Sequence, residues 1–417
     1  MNSKLQDWQA WKTVLWLWGA FFIAYITRQS IFSIFPVLRE SLGFTEVQLG
    51  LTGTVFLWAY ACGNPIGGYL SDRISKKKLI VTSILLWSLC MFMIGMTQSP
   101  AALLTWRGAM ALAQSLYIVA AISLITQVHT EYNRSKALSL HGTAQFAGIT
   151  FGGWYGGFVA EALDWRWMLW LAGVAGALYT PLLLYGLRDP GPTASQGTNP
   201  AADGAGHWLG VLRIPTYLSL CFNFIAINAM LWVIYAWLPD FLRHKFQLSL
   251  GSSGFTATVY VQSATIVGIL TGASIADYLV RKTARGRAYV LLAGLAIACP
   301  FFFGVGHGSS LLVVKISALG YGFFKGAYIA NFFATVMDIV PQQTRGFAVG
   351  FSNMLGSVSG GLAAFLVGLL KTRFSPETLF SFGTALGAVA ALTLAVTLWT
   401  VFTVDYQRAR LNPVDRN

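Results

Sequence analysis

Twelve stretches of about twenty mostly apolar residues follow one another along the chain, separated by short polar connections. They read as 12–35, 47–70, 79–97, 101–128, 137–160, 167–187, 215–240, 252–279, 288–306, 311–339, 346–370 and 379–402. Continuous runs of this length are helices, because strands of a membrane barrel alternate in polarity over about ten residues. Only 10% of the residues are charged and 55% are hydrophobic, whereas a soluble domain is about a quarter charged. The expected fold is an all-α membrane protein of twelve transmembrane helices. The first apolar run lacks a small-residue cleavage pattern and continues into Arg28 and Pro36, so it is expected to be retained.

The formal net charge of +13 first suggests nucleic acid or acidic lipid as a partner. Its distribution gives another reading. Assigning the connections alternately to two sides puts eighteen basic residues on the side of the termini and six on the other. That bias places both termini in the cytoplasm and leaves no call for nucleic acid. The stretch 188–213 is rich in Gly, Pro, Ala and Ser and reads as a cytoplasmic linker. It separates an N-terminal six-helix half, 1–187, from a C-terminal half, 214–417, that ends in a short tail.

The halves echo each other. Gly67-Gly68-Tyr69-Leu70-Ser71-Asp72-Arg73 follows the second run, and Gly272-Ala273-Ser274-Ile275-Ala276-Asp277-Tyr278 follows the eighth. Arg134-x2-Ala137 and Arg345-x2-Ala348 open the fifth and eleventh. The offsets, 205 between the aspartates and 211 between the arginines, nearly agree, as expected of pseudo-symmetric duplicated halves.

Two cations lie inside apolar runs, Arg28 in the first and Lys325 in the tenth, with no carboxylate at comparable depth. A guanidinium keeps its charge at neutral pH, and a charge within hydrocarbon marks a functional position. An anion is the expected guest. Tyr25 lies one turn before Arg28, and Tyr321 and Tyr328 flank Lys325. Further substrate-binding candidates are Tyr117, Gln145, Asn228, Asn331 and Asn353, polar groups at mid-helix depth in both halves.

The twelve runs, the mid-chain linker and the loop Gly68-x3-Asp72-Arg73-x2-Lys76 resemble the major facilitator superfamily, which implies the fold of that name. Within it, Tyr25-Ile26-Thr27-Arg28-Gln29, Pro36, Leu42-Gly43-Phe44 and Gln48-Leu49-Gly50 look like the start of the organophosphate:phosphate antiporters, with the anion:cation symporters next. In the former the corresponding arginine contacts the substrate anion, which implies that role for Arg28. Those antiporters carry a second arginine in helix 7, where alignment on Trp237-x-Pro239 puts Leu231. The two-arginine phosphate clamp is therefore absent, and Lys325 is a point charge where a clamp needs a fork.

Asp72, Arg73, Arg134, Asp277 and Arg345 are gating candidates. Gly67 and Gly68 would let helix 2 approach a neighbour closely, and Asp72 would cap a helix or pair with Arg134. The glycines 148, 152, 153, 156 and 157, with 356, 360 and 361 in the other half, read as close-packing surfaces. His141, at a helix end, is a candidate protonation site, and Arg107 resembles a structural or proton-relay arginine of the superfamily.

The four cysteines are scattered singly, and no metal-ligand spacing or phosphate-binding Gly-Lys-Ser/Thr loop is present. No disulfide, metal site, cofactor or enzymatic activity is expected. The sequence therefore points to a monomeric secondary active transporter in the cell membrane, expected to be a bacterial inner membrane. Its cargo would be a small organic anion (a carboxylate, a sugar acid or an organophosphate), moved with a proton or against a counter-anion. The alternative is an efflux antiporter for a drug or metabolite, which usually relies on membrane-embedded carboxylates.

Overall fold

The computed structural model describes residues 3–187 and 208–410. Among them are fourteen α-helices, two short 3-10 turns and no strand. The helices are α1 (Ser3–Ser33), α2 (Phe35–Leu42), α3 (Glu46–Arg73), α4 (Lys76–Gly95), α5 (Pro100–Val128), α6 (Glu131–Ala162), α7 (Trp165–Gly186), α8 (Pro215–Phe246), α9 (Leu250–Val280), α10 (Gly286–His307), α11 (Leu311–Ile339), α12 (Arg345–Leu370), α13 (Pro376–Thr400) and α14 (Phe402–Arg410). Among the described residues ten helices are long and apolar enough to cross a membrane. α3 and α6 match them in length, at 28 and 32 residues, but carry more polar side chains. Most of the expected linker, 188–207, lies outside the described residues.

Local chemistry sets many of the helix ends. Thr45 and Gln48 form a reciprocal capping box at the start of α3, satisfying two amides that the first turn leaves without helical partners. Ser75, Ser99, Asp164, Ser310 and Ser375 cap α4, α5, α7, α11 and α13 more simply, each side chain accepting one first-turn amide. The first apolar run, expected at 12–35, is α1 as far as Ser33. It breaks at Ile34 and restarts as α2 with Pro36 in the first turn. Proline has no N–H to continue the ladder and disfavours helical geometry just before it. Gly43, at φ 65°, then ends α2 in the left-handed conformation that glycine adopts without strain.

The chain forms two compact units: residues 1–197 with 235–258, and residues 198–234 with 259–417. In the first, α6 packs along α1 through Gly148, Gly152 and Gly156, spaced by four. A Cβ at Gly148 would lie 2.6 Å from Cβ of Tyr25, and one at Gly152 would lie 2.8 Å from the carbonyl of Ile26. Without side chains there, the two backbones touch. Gly153 and Gly157 face Gly254 and Leu250 at the start of α9, which ties segment 235–258 to this unit. A Cβ at Gly67 would lie 3.2 Å from Cα of Leu116 on α5, the close approach expected there, whereas one at Gly68 would have nothing within 4 Å. The two are adjacent on a helix and point about 100° apart, so only one can serve the contact.

In the second unit, Gly268 and Gly272 of α9 lie against Phe323 and Ala327 of α11, while Gly322 and Gly326 of α11 lie against Val261 and Thr265 of α9. Gly356 and Gly360 of α12 receive Phe224 and Trp232 of α8. The short α14 is tied back by Asp405, which accepts hydrogen bonds from the amide and hydroxyl of Thr216.

Candidate functional site

Arg28 lies on α1, whose register is set by the glycine contacts at Tyr25, Ile26 and Ser30. Its guanidinium carbon is 4.5 Å from the ring centre of Phe56 and 5.2 Å from those of Tyr25 and Tyr60. Nη1 also donates to the Tyr25 hydroxyl at 3.4 Å. An arginine at the centre of a membrane helix costs about 2.5–3.5 kcal/mol on insertion scales. Three ring faces at about 0.5–1 kcal/mol each offset a large part of that. Rings attract a cation without cancelling its charge, which an anion-binding position requires. Tyr25 was expected here from its helical spacing; Phe56 and Tyr60 were not. They stand on α3, and an aromatic residue in an apolar run gives no sign of a cation across the interface.

Arg107 of α5 is 1% exposed. Its Nε donates to the carbonyl of Thr52 at 2.8 Å and its Nη2 to the carbonyl of Arg28 at 3.0 Å. It braces α1 to α3 at the residue that carries the candidate anchor. Nearby, Gln114 donates to Thr27 Oγ1 at 3.0 Å, next to Arg28 in sequence. His141 is buried against the Phe21 ring, 4.5 Å centre to centre, and lies 3.2 Å from the Tyr117 hydroxyl. That hydroxyl donates to the Leu17 carbonyl at 2.6 Å, so Tyr117 is tied to α1 as well. Gln145 is half-buried on α6.

In the second unit Lys325 is 1% exposed on α11, with Tyr321 and Tyr328 equally buried on the same helix. The Tyr328 hydroxyl has no hydrogen-bond partner among the described residues. Asn331 donates to the carbonyls of Gly272 and Ala327, at 3.1 and 2.9 Å, and Asn228 donates to Phe224 of its own helix at 2.8 Å. Both donors of Asn331 and one of the two of Asn228 are committed to backbone. Asn353 is exposed.

Asp72, Arg73, Arg134, Asp277 and Arg345 are all exposed at helix ends. The structure does not join Asp72 to Arg134, and none of the five makes an ion pair among the described residues. Arg73 instead lies over its neighbour Tyr69, 4.0 Å from the ring centre. Exposed pairs gain at most about 1 kcal/mol, so little holds such a contact closed.

A charged cluster that the sequence reading passed over lies past the break in α1. Arg39 of α2 makes a forked contact with Asp240 of α8, both bonds 2.8 Å, and with Glu46 of α3 at 2.6 and 3.0 Å. Asp240 is 1% exposed. Burial works against the Arg39 charge, but the two carboxylates outweigh it and raise its pKa above the ordinary arginine value. Glu161, at the end of α6, accepts from the first amides of α9 at Leu250 and Gly251, a helix start that favours a carboxylate.

The chain matches the Major Facilitator Superfamily family description over residues 17–364. It is 22% identical to the D-galactonate transporter of Escherichia coli O6:H1, with 94% of this chain and 96% of that one aligned. It is 24% identical to the hexuronate transporter of Bacillus subtilis, over 91% and 93%. Among solved structures it resembles a bacterial homolog of the human lysosomal transporter Spinster, with TM-score 0.77 and 17% identity, covering 99% of this chain and all of that one.

Proposed function

The chain belongs to the Major Facilitator Superfamily, and from that premise we propose that this multi-pass membrane protein is a secondary active transporter of a small organic anion. The carboxylates of sugar acids are the favoured class, because the relatives named for galactonate and hexuronate align over nearly their whole length. In this reading twelve helices cross a bacterial inner membrane as two six-helix halves, 1–187 and 214–417, with both termini in the cytoplasm. The protein works as a monomer.

The observation that carries the reading is the setting of Arg28: a permanent cation caged by Tyr25, Phe56 and Tyr60, its own carbonyl held by Arg107. Arg28 binds the carboxylate, Tyr25 orients it through its hydroxyl, and Arg107 positions the helix. Lys325, buried with Tyr321 and Tyr328 on α11, is the candidate substrate-binding cation of the second unit. A compact carboxylate suits the single fork of Arg28 better than a phosphate does, since the helix-7 position of the phosphate clamp is Leu231. Coupling is by proton symport or by anion exchange. An imposed pH gradient drives accumulation in the first case, and an internal anion does so in the second.

The test is uptake into proteoliposomes, with sugar acids, simple carboxylates and sugar phosphates as competitors. Arg28→Ala is expected to abolish uptake, and Arg28→Lys to retain a small part of it. Both variants must keep the wild-type size-exclusion profile. Undiminished uptake by a folded Arg28→Ala protein rejects the assignment.

A further inference from the structure

A second candidate ligand position lies within the second unit. A groove of about 270 Å³ is lined by α9 from Thr271 to Leu279, by α10 from Tyr289 to Gly294, and by Phe323, Phe324 and Ala327 of α11. Its floor exists because Gly272 and Gly294 carry no side chain where α11 presses against them. The lining is apolar nearly throughout. Thr271 turns its hydroxyl to the Val267 carbonyl of its own helix at 2.9 Å. Along α9 the groove is about 12 Å long at 1.5 Å rise per residue. It is narrow and shallow for a drug-sized molecule, and its long dimension follows the helices, as a hydrocarbon chain does.

One end of this groove is chemically different. Leu279 and Tyr289 mark the last turn of α9 and the first turn of α10, and the connection between them carries Arg281, Lys282 and Arg285, followed by Arg287. Arg287 is paired with Asp338 at 2.7 Å, and Arg285 is bonded to the Thr403 hydroxyl. Arg281 and Lys282 are exposed and make no ion pair among the described residues; Lys282 leans on Tyr278. Tyr289 lines the groove at this same end. Asp277 is the other acidic group of this end, exposed one turn before Arg281. Four cations against Asp277 and Asp338 leave the mouth positive.

We propose that this groove is a binding site for an anionic phospholipid, with one acyl chain lying between α9, α10 and α11 and the phosphate held by Arg281, Lys282 and the Tyr289 hydroxyl. The positive-inside bias puts this connection on the cytoplasmic face, where anionic lipids concentrate and basic pockets between helices take their headgroups. The site needs only that the chain spans a membrane, so it stands whatever the transported substrate.

The full-length protein is tested by native mass spectrometry and by thermal melting, titrated with phosphatidylglycerol or phosphatidylcholine. Wild type is expected to retain phosphatidylglycerol preferentially and to melt higher with it. Arg281→Gln with Lys282→Gln removes the phosphate contacts and is expected to weaken that binding about 30-fold, at roughly fivefold per basic residue. Ala293→Phe fills the groove from an exposed position and is expected to displace the lipid while leaving the charges in place. Equal retention of the two lipids overturns the proposal. So does unchanged phosphatidylglycerol binding in either variant, or the same melting shift from inorganic phosphate alone, since the groove then plays no part.

Discussion

Arg107 offers a sharp test of how the first unit presents its cation. If it acts by bracing α1, substitution removes two hydrogen bonds, to the carbonyls of Thr52 and Arg28. Inter-helix hydrogen bonds inside membranes average about 0.6 and reach about 1.7 kcal/mol by double-mutant cycles. Arg107→Met is therefore expected to lose about 1–3 kcal/mol of stability. Arg107→Lys, with a single ammonium that cannot span two diverging carbonyls, should lose about half of that. Neither variant deletes Arg28, so the transport defect should follow its displacement: weaker apparent affinity, with the ceiling less affected. A proton relay predicts something else. Counterflow, in which labelled substrate exchanges against unlabelled substrate without a gradient, needs no net proton movement, whereas gradient-driven uptake does. Bracing predicts that both assays fall together in Arg107→Lys. Intact counterflow with lost gradient-driven uptake, at wild-type stability, refutes the bracing role.

Two further outcomes follow from contacts that the backbone dictates. Gly156→Val places a branched side chain against the Ser30 carbonyl, and overpacking of this kind costs about 1–3 kcal/mol or more; wild-type melting temperature would show that α1 and α6 are not held there. Asp240→Ala removes the buried carboxylate from Arg39, and breaking a buried pair costs about 3–5 kcal/mol. With Glu46 still in contact, a loss near the lower end is expected, while Glu46→Ala, at 24% exposure, should lose about 1 kcal/mol. Equal losses in a denaturant titration would deny burial its role.

The helices were legible because hydrocarbon imposes a length and a polarity that few other folds demand. Capping residues such as Thr45, Ser99 and Ser310 sharpen the ends. Pro36 signals the end of the first run near residue 35, but gives no sign of the short helix α2 that restarts there. The small-residue surfaces were legible as surfaces, but not their partners. Gly148, Gly152 and Gly156 hold α1, whereas Gly153 and Gly157, on the adjacent face, meet α9. Of the candidate site, Arg28 and Tyr25 share one helix and could be placed from spacing alone. Phe56 and Tyr60 could not, because an aromatic side chain looks the same in sequence whether it packs on leucine or on a cation. The Arg39–Asp240 pair spans 201 residues, and each partner taken singly looks like an ordinary interfacial charge.

The contacts around α1 also limit which motions can accompany transport within the first unit. Three glycines set its backbone against α6, Arg107 ties the carbonyl of Arg28 to the α3 carbonyl of Thr52, and Tyr117 ties in the carbonyl of Leu17. At Gly152 and Gly156 main chain lies against main chain, which no rotamer change can release. A slide of α1 by one residue would take Tyr25 and Ser30 off the glycine positions and break the Arg107 bond to the Arg28 carbonyl. Close-packed contacts of this kind move between discrete arrangements or not at all. The guanidinium and its three rings therefore travel as one piece with α3, α5 and α6. The pieces free to respond to a bound anion are side chains outside this lattice and the exposed helix ends at Asp72 and Arg134, which no ion pair holds among the described residues.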